Sequence, residues 1–241
     1  MRLLERVVEK AHPCTYLPSR QASLEVQVLL DVTAAELEAM LERGWRRFGP
    51  MYFRPACTAC GECISLRLPV ASFSPSKSQR RAARACASLR RVVGAPVVDG
   101  ARLDLYARWH AMREDVRGWE PNPQTRERYA IEFAFAHPAA REAAFYDDAR
   151  LVGVGLFDET PHALSAAFFF YDPDYAHRSL GTANVLSLLD DARATGREHV
   201  YLGYCVEGCA SLAYKASFRP HELLTGRPSM REPAAWKLAD G

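Results

Sequence analysis

Ala163-Leu-Ser-Ala-Ala-Phe-Phe-Phe-Tyr171, then Asp172-Pro-Asp-Tyr-Ala-His-Arg178, then Ser179-Leu-Gly-Thr-Ala-Asn-Val-Leu-Ser-Leu-Leu-Asp-Asp-Ala-Arg-Ala-Thr195, closing on His199-Val-Tyr-Leu-Gly-Tyr204, is the part of the sequence that decides the fold. The first run is β-rich and nearly apolar, the third has the spacing of one long helix, and the last is again β-rich. A strand, a crossover helix and a second strand imply a mixed sheet covered by helices. Upstream, residues 145–148 and 151–158 read as further short strands. Residues 101–117, with Leu105, Trp109 and Met112 at helical spacing, and residues 124–136 read as helices. This C-terminal unit opens after the turn Gly94-Ala95-Pro96, giving expected domains of 1–93 and 94–241.

In the first unit, residues 26–30 read as a strand. Thr33 with Glu36 forms a capping box opening a helix that Gly44 ends. Residues 64–73 read as a strand that Pro69 makes an edge or bends, and Ser76 or Ser78 caps a helix running to Arg90. The chain has 241 residues, 49% of them hydrophobic and 25% charged. That composition excludes disorder, collagen and coiled coil. A chain this long buries about 70% of its unfolded surface, so it needs no disulfide framework. The cysteines number seven, an odd count, and the N-terminus lacks the apolar core and cleavage site of a signal peptide. The expectation is a reducing, cytoplasmic compartment. The apolar run Ala163–Tyr171 is shorter than the ~20 residues of a membrane span, so no membrane partner is expected.

Charge is uneven. Residues 43–91 carry eleven basic side chains against Glu62, a net +10, so the remainder of this +2 chain nets −8. A block of that sign suits a polyanion, with RNA the leading candidate, because phosphate contacts release counterions. The alternative is an ordinary solvated face in an arginine-rich chain. Within the block, Cys57-x-x-Cys60-x-x-Cys63 places three thiols on one loop. A closed tetrahedral site needs a fourth ligand, for which Cys14 is the candidate and His12 the reserve. Zinc or an iron–sulfur cluster would suit such donors. Cys205 and Cys209 read as core. The junction Arg178-Ser-Leu-Gly181-Thr-Ala183 opens the helix where unpaired amides attract phosphate, unless Gly181 merely permits close helix packing. Arg-x-x-Gly-x-Ala at this place resembles the acyl-carrier loop of the GNAT acyltransferases.

Further motifs agree in order along nearly the whole chain. They are Tyr52-x-Arg54-Pro-x-Cys57-x-x-Cys60-x-x-Cys63-Ile-x-Leu-Arg67, Val70-x-x-Phe73-x-Pro-Ser76-Lys77-Ser78-Gln79-Arg80-Arg81, Ser165-Ala, Tyr171-Asp-Pro-Asp174, Arg178-Ser-Leu-Gly181-Thr, Tyr201-Leu-Gly-Tyr204 and Tyr214-Lys215-Ala-x-Phe218-x-Pro220. Together they resemble the aminoacyl-tRNA–protein transferases of the N-degron pathway. The short bacterial form of that family is similar to aspartate/glutamate leucyltransferase, and its longer eukaryotic relatives are arginyltransferases. The chain departs from the pattern at Thr15, Cys86, Cys205, Ser211-Leu212 and Met112-Arg113-Glu114, and these positions bear on donor and acceptor specificity.

The resemblance implies an α+β fold, a GNAT-like mixed sheet with helices preceded by a smaller cysteine-rich N-terminal α/β domain. It implies transfer of an amino acid from charged tRNA to the α-amine of a protein beginning with Asp or Glu, marking it for degradation. No ATP is needed, because the tRNA ester is already activated. Tyr171 and Asp172 are the candidates for proton handling or amine orientation, with Asp172 equally readable as a turn residue before Pro173. Ser76, Lys77, Gln79, Arg80 and Arg81 supply donors for the acidic residue and for acceptor-stem phosphates. Arg178 and Gly181 would face the terminal adenosine, Tyr214 and Lys215 would line the same cleft, and Tyr52 and Arg54 complete the substrate-binding set. Leucine is the preferred donor, since no isolated carboxylate offers itself to a guanidinium. Arginyl transfer, an acyl-CoA-dependent GNAT N-acetyltransferase and a non-enzymatic RNA-binding metalloprotein are the alternatives.

Overall fold

The computed structural model describes residues 1–239. Asp240 and Gly241, at the end of the expected second unit, lie outside the described residues. In chain order the elements are β1 (Arg2–Val8), β2 (His12–Pro13), β3 (Gln21–Ala22), β4 (Leu24–Leu30), α1 (Ala34–Glu42), β5 (Arg46–Phe48), β6 (Met51–Pro55), β7 (Ile64–Pro69), α2 (Lys77–Ala85), β8 (Arg90–Gly94), α3 (Gly100–Arg117) and α4 (Arg126–Phe133). They continue with β9 (Ala140–Asp147), β10 (Arg150–Glu159), β11 (Ala163–Tyr171), a 3-10 turn (Pro173–Arg178), α5 (Leu180–Ala194), β12 (His199–Cys205), α6 (Ala210–Ala213), a second 3-10 turn (Tyr214–Ser217), β13 (Glu222–Leu224) and β14 (Trp236–Leu238).

An eight-stranded sheet runs β14-β13-β7-β12-β11-β10-β9-β8. Its pairings are antiparallel except β11 with β12, the pair joined by the α5 crossover. This is the GNAT-like mixed sheet that the resemblance implies. Helices cover both faces: Leu180, Leu186 and Leu189 of α5 pack with Val152 and Phe157 on one. On the other, Leu105, Tyr106 and Trp109 of α3 and Tyr129 of α4 pack on Val154, Leu156 and Phe170. Strands buried on both faces lose the in-out alternation, which is why β10 and β11 read as continuous apolar runs.

The smaller sheet, β1-β4-β6-β5, carries α1 and its own core of Leu29, Leu37, Met40, Leu41 and Trp45. The capping box of Thr33 and Glu36 opens α1, and Ser76 with Gln79 forms another at α2. The helix that starts at Ser76 ends at Cys86 instead of continuing to Arg90, because residues 90–94 form an outer strand of the large sheet. The large sheet also crosses the expected division at residue 93. β7, read from Pro69 as an edge strand, lies inside it between β12 and β13, and Pro69 only ends the strand.

Candidate active site

β11 and β12 pair in register only over Ala163–Ser165 and His199–Tyr201. Beyond those pairs each strand slips against its outer neighbour: β11 leaves Ala167 unmatched opposite Leu156 and Phe157, and β12 slips between Tyr201 and Gly203. The two parallel strands therefore splay toward their C-terminal ends. Arg46, on β5, enters this opening. Its Nη1 donates to Ser165 Oγ at 2.8 Å and its Nη2 to the Ala166 carbonyl. On the β12 side, a Cβ at Gly203, whose φ is +77°, would stand 3.3 Å from Arg46 Nε. Glycine supplies both the left-handed backbone and the room. Tyr204 donates from its hydroxyl to the Gly44 carbonyl at 2.9 Å, fastening the smaller sheet to the same opening.

Lys215 lies beside it, its Nζ donating to the Tyr204 carbonyl at 2.8 Å. Burial, aided by the Arg46 charge, pulls the Lys215 amine down to about 7. At neutral pH it is a group able to accept a proton. Tyr214, expected beside it, is half exposed.

Asp172 is fully buried. It accepts from Arg108 Nη1 at 3.1 Å and from Arg150 Nε and Nη2 at 3.0 and 2.6 Å, and it caps the first 3-10 turn through the Asp174 amide. A carboxylate held by two guanidiniums is a positioning group. Asp172, expected to handle the proton or orient the amine and equally readable as a turn residue, has its oxygens taken up by Arg108, Arg150 and the turn. Tyr171 closes β11 just before it. Tyr175 stacks between Arg150, at 5.6 Å, and Arg178, at 5.1 Å, and donates to Asp147 at 2.6 Å.

Arg178 leads into α5, which no side chain caps. The amides of Leu180 and Gly181 therefore have no partner within the helix, a disposition that favours an anion. Packing does not demand the glycine: a Cβ at Gly181 would meet Phe169 at an ordinary 3.8 Å. α2 packs on α5, and the Cys86 thiol donates to the Arg178 carbonyl at 3.4 Å. This brings the C-terminal end of α2 to that helix start, and Lys77, Arg80, Arg81 and Arg84 are exposed along α2.

Several expected binding residues have other work. Ser76 and Gln79 form the α2 cap, and Gln79, buried, also donates to the Ser217 carbonyl at 3.2 Å. Arg80 donates to the Pro75 carbonyl. Arg54 is tied to Glu25 and to the Pro228 carbonyl, both at 2.8 Å, and stacks on Trp45. Tyr52 is 1% exposed, packs in the core of the smaller sheet with Ala163 and Tyr201, and lines a cavity of about 370 Å³ with Leu29, Val32 and His137. Tyr52 and Arg54, expected in the substrate-binding set, are thus engaged in packing and ion pairing within the smaller sheet. The basic block divides likewise: Arg47, Arg54, Arg67 and Arg91 pair with Asp158, Glu25, Glu222 and Asp191, leaving α2 and Arg90 of β8 as its exposed part.

Cys14, Cys57, Cys60 and Cys63 are free and half-buried. They are neighbours: burial first, then Cys57, Cys14 and Cys60, push the Cys63 thiol up to about 12. The amides of Leu17 and Ser23 donate to Cys14 and Cys57 sulfurs, each at 3.4 Å, and the Cys57 sulfur faces the Ser23 carbonyl at 3.6 Å. This donor set suits a thiophilic ion, although among the described residues no three His, Cys, Asp or Glu side chains close into a finished cage. His12 is exposed and turned to the Pro13 carbonyl and Glu9. Arg46, Arg108 and Arg150 were not singled out from sequence. Arg46 had one signal, its place in the basic block, whereas the other two had none.

Residues 12–81 match the family model described as arginine-tRNA-protein transferase, N terminus, and residues 101–225 match the one described as arginine-tRNA-protein transferase, C terminus. The chain belongs to the arginine-tRNA-protein transferase family. It is 34% identical to an aspartate/glutamate leucyltransferase of Helicobacter hepaticus over 242 residues, covering 100% of both chains. A leucyltransferase of the same description from Halorhodospira halophila is 40% identical over 90% of this chain and 92% of its own. Among solved structures, the ribosomal-protein-S18-alanine N-acetyltransferase of Escherichia coli matches with a TM-score of 0.39 at 13% identity, covering 54% of this chain and 77% of its own.

Proposed function

We propose that this chain transfers leucine from charged tRNA to the α-amine of proteins that begin with Asp or Glu, marking them for degradation in the cytoplasm. The end-to-end match to leucyltransferases carries this reading. No helix of the described residues is long and apolar enough to cross a membrane.

In this reaction the amine nitrogen attacks the ester carbonyl, the bond from that carbonyl to the ribose oxygen breaks, and the tRNA hydroxyl leaves. The activated ester drives the step without ATP. The start of α5 with Arg178 holds the phosphate next to the terminal adenosine, and the α2 arginines meet the acceptor stem. Lys215, neutral in about half of the molecules at pH 7, takes the proton that the amine loses as the C–N bond forms and returns it to the departing ribose oxygen. Asp172, Arg108 and Arg150 hold the strand end and the turn before α5 in place.

The expected result is label passing from leucyl-tRNA to peptides beginning with Asp or Glu and not to those beginning with Ala. Transfer from arginyl-tRNA alone would make the donor arginine. Acyl-CoA binding without transfer from either tRNA would replace the reading with an N-acetyltransferase.

The same reading gives Cys14, Cys57, Cys60 and Cys63 a thiolate-bound zinc ion or iron–sulfur cluster that clamps the N-terminal segment to the loop at 57–63. Protein purified without oxygen is expected to contain stoichiometric zinc, or iron with visible absorbance, and Cys60→Ser is expected to lose it and melt lower. Metal-free wild type of unchanged stability would remove the clamp.

A further inference from the structure

Arg113 and Arg178 are the two cations around the cleft that keep a buried nitrogen without a hydrogen-bond partner, Arg178 through its Nη1 at the start of α5 and Arg113 within an aromatic surround. Arg113 lies one helical turn beyond Trp109 on α3, with its guanidinium carbon 5.4 Å from the Trp109 ring centre, 5.9 Å from that of Trp119 and 6.0 Å from that of Tyr171. Its charge also acts on the Tyr214 hydroxyl, so strand end, helix and the 3-10 turn after α6 meet around it. Its Nε is buried without a hydrogen-bond partner. The adjacent Glu114 is turned away to His110 Nδ1 at 2.8 Å. Arg108 and Arg150, by contrast, hold Asp172, and Arg46 holds β11.

Aromatic faces attract a guanidinium but accept none of its in-plane N–H groups. Leaving such a donor buried and unmet costs free energy that an incoming acceptor returns. The acceptor that matches the guanidinium fork is a carboxylate. The aromatic walls would keep water from it, which strengthens the attraction and sharpens discrimination between a charged group and its neutral isostere. Tyr171, at the end of β11, ties this cation to the splayed cleft.

We propose that Arg113 reads the acidic side chain of the acceptor protein, taking the Asp or Glu carboxylate in an aromatic box formed by Trp109, Trp119 and Tyr171. This rests on the reading of the chain as a transferase for acidic N-termini. It moves acidic recognition from Lys77 and Arg80, exposed on α2, to α3.

The test uses two peptides identical except for Asp or Asn at the first position, with binding followed by Trp109 and Trp119 fluorescence and transfer followed from leucyl-tRNA. Wild type is expected to prefer the Asp peptide by about 10- to 100-fold, the range of a charged hydrogen bond. Arg113→Gln is expected to bring that ratio near one while leaving the affinity for leucyl-tRNA unchanged, and Arg113→Lys to keep part of the preference. An Asp-to-Asn ratio in Arg113→Gln equal to that of wild type overturns the proposal. So does a wild type without preference. Should wild type bind Asp peptides through Arg113 yet transfer nothing from leucyl- or arginyl-tRNA, the transferase reading fails while the carboxylate site stands. If Arg113→Gln does not fold, the ratio in Arg113→Lys decides: one unchanged from wild type rejects the fork.

Discussion

Replacing Asp158 with alanine lowers the free energy of unfolding by about 3–5 kcal/mol, the cost of stranding one member of a buried ion pair. Asp158 lies on β10 of the large sheet and Arg47 on β5 of the small one, and their side chains are 4% and 7% exposed. Arg47 also donates to the Gly49 carbonyl at 3.1 Å, while its Nε has no partner. With Asp158 gone the guanidinium keeps one carbonyl and otherwise faces low-dielectric surroundings, which also hold His137. That imidazole is already pushed down to about 3 by burial and by Arg47. The charge, not the lost contact area, is what destabilises Asp158→Ala. Arg47→Met combined with Asp158→Leu is therefore expected to recover most of the loss, since matched apolar residues avoid desolvating either ion. Denaturant unfolding of the single and double variants measures both quantities, and a single-variant loss below about 1 kcal/mol would place the pair among weak surface bridges.

How far the sequence could lead is visible in particular residues. β11, α5 and β12 were legible because a run buried on both faces and a helix of fixed spacing are local patterns, and Thr33 with Glu36 marked α1 by chemistry that spans three residues. The place of β7 was not legible. Its partners Tyr201 and Glu222 lie more than 130 positions away, and nothing in Ile64–Pro69 specifies them. Pro69 suggested an edge because a proline cannot join the ladder, yet it sits where the strand stops. Asp172 was marked in the sequence as a chemically useful carboxylate, but its role follows from Arg108 and Arg150, which reach it from two other elements. The basic block predicted polyanion contact from total charge, whereas tertiary pairing with Asp158, Glu25, Glu222 and Asp191 leaves the α2 face and Arg90 for that purpose. Local rules place elements; long-range pairing decides which charges stay available.

Lys215→Met is expected to lower the transfer rate about 10²- to 10⁴-fold, the usual contribution of a positioned proton acceptor, without loosening the fold. The fold survives because the lysine pKa is depressed, to about 7, so the native state disfavours the charged amine. Between pH 7 and the ordinary lysine value near ~10.4 the unfolded chain binds more protons, and this group's contribution to stability rises with pH across that window. Methionine removes the penalty that lysine carries at lower pH. For catalysis the sign is the same: Lys215 must be neutral, and so must the attacking α-amine, with its reference value near ~8. Well below pH 7 the wild-type rate is therefore expected to climb about a hundredfold per pH unit, two protons being lost, and Lys215→Met only tenfold. If Lys215 acts instead as a charged donor to the developing oxyanion, both enzymes climb only tenfold per unit well below pH 7, and the wild-type profile becomes the shallower of the two as pH rises through 7. A Lys215→Met enzyme with the wild-type rate and slope would leave proton removal to water or the substrate, and reduce the Nζ contact with the Tyr204 carbonyl to packing.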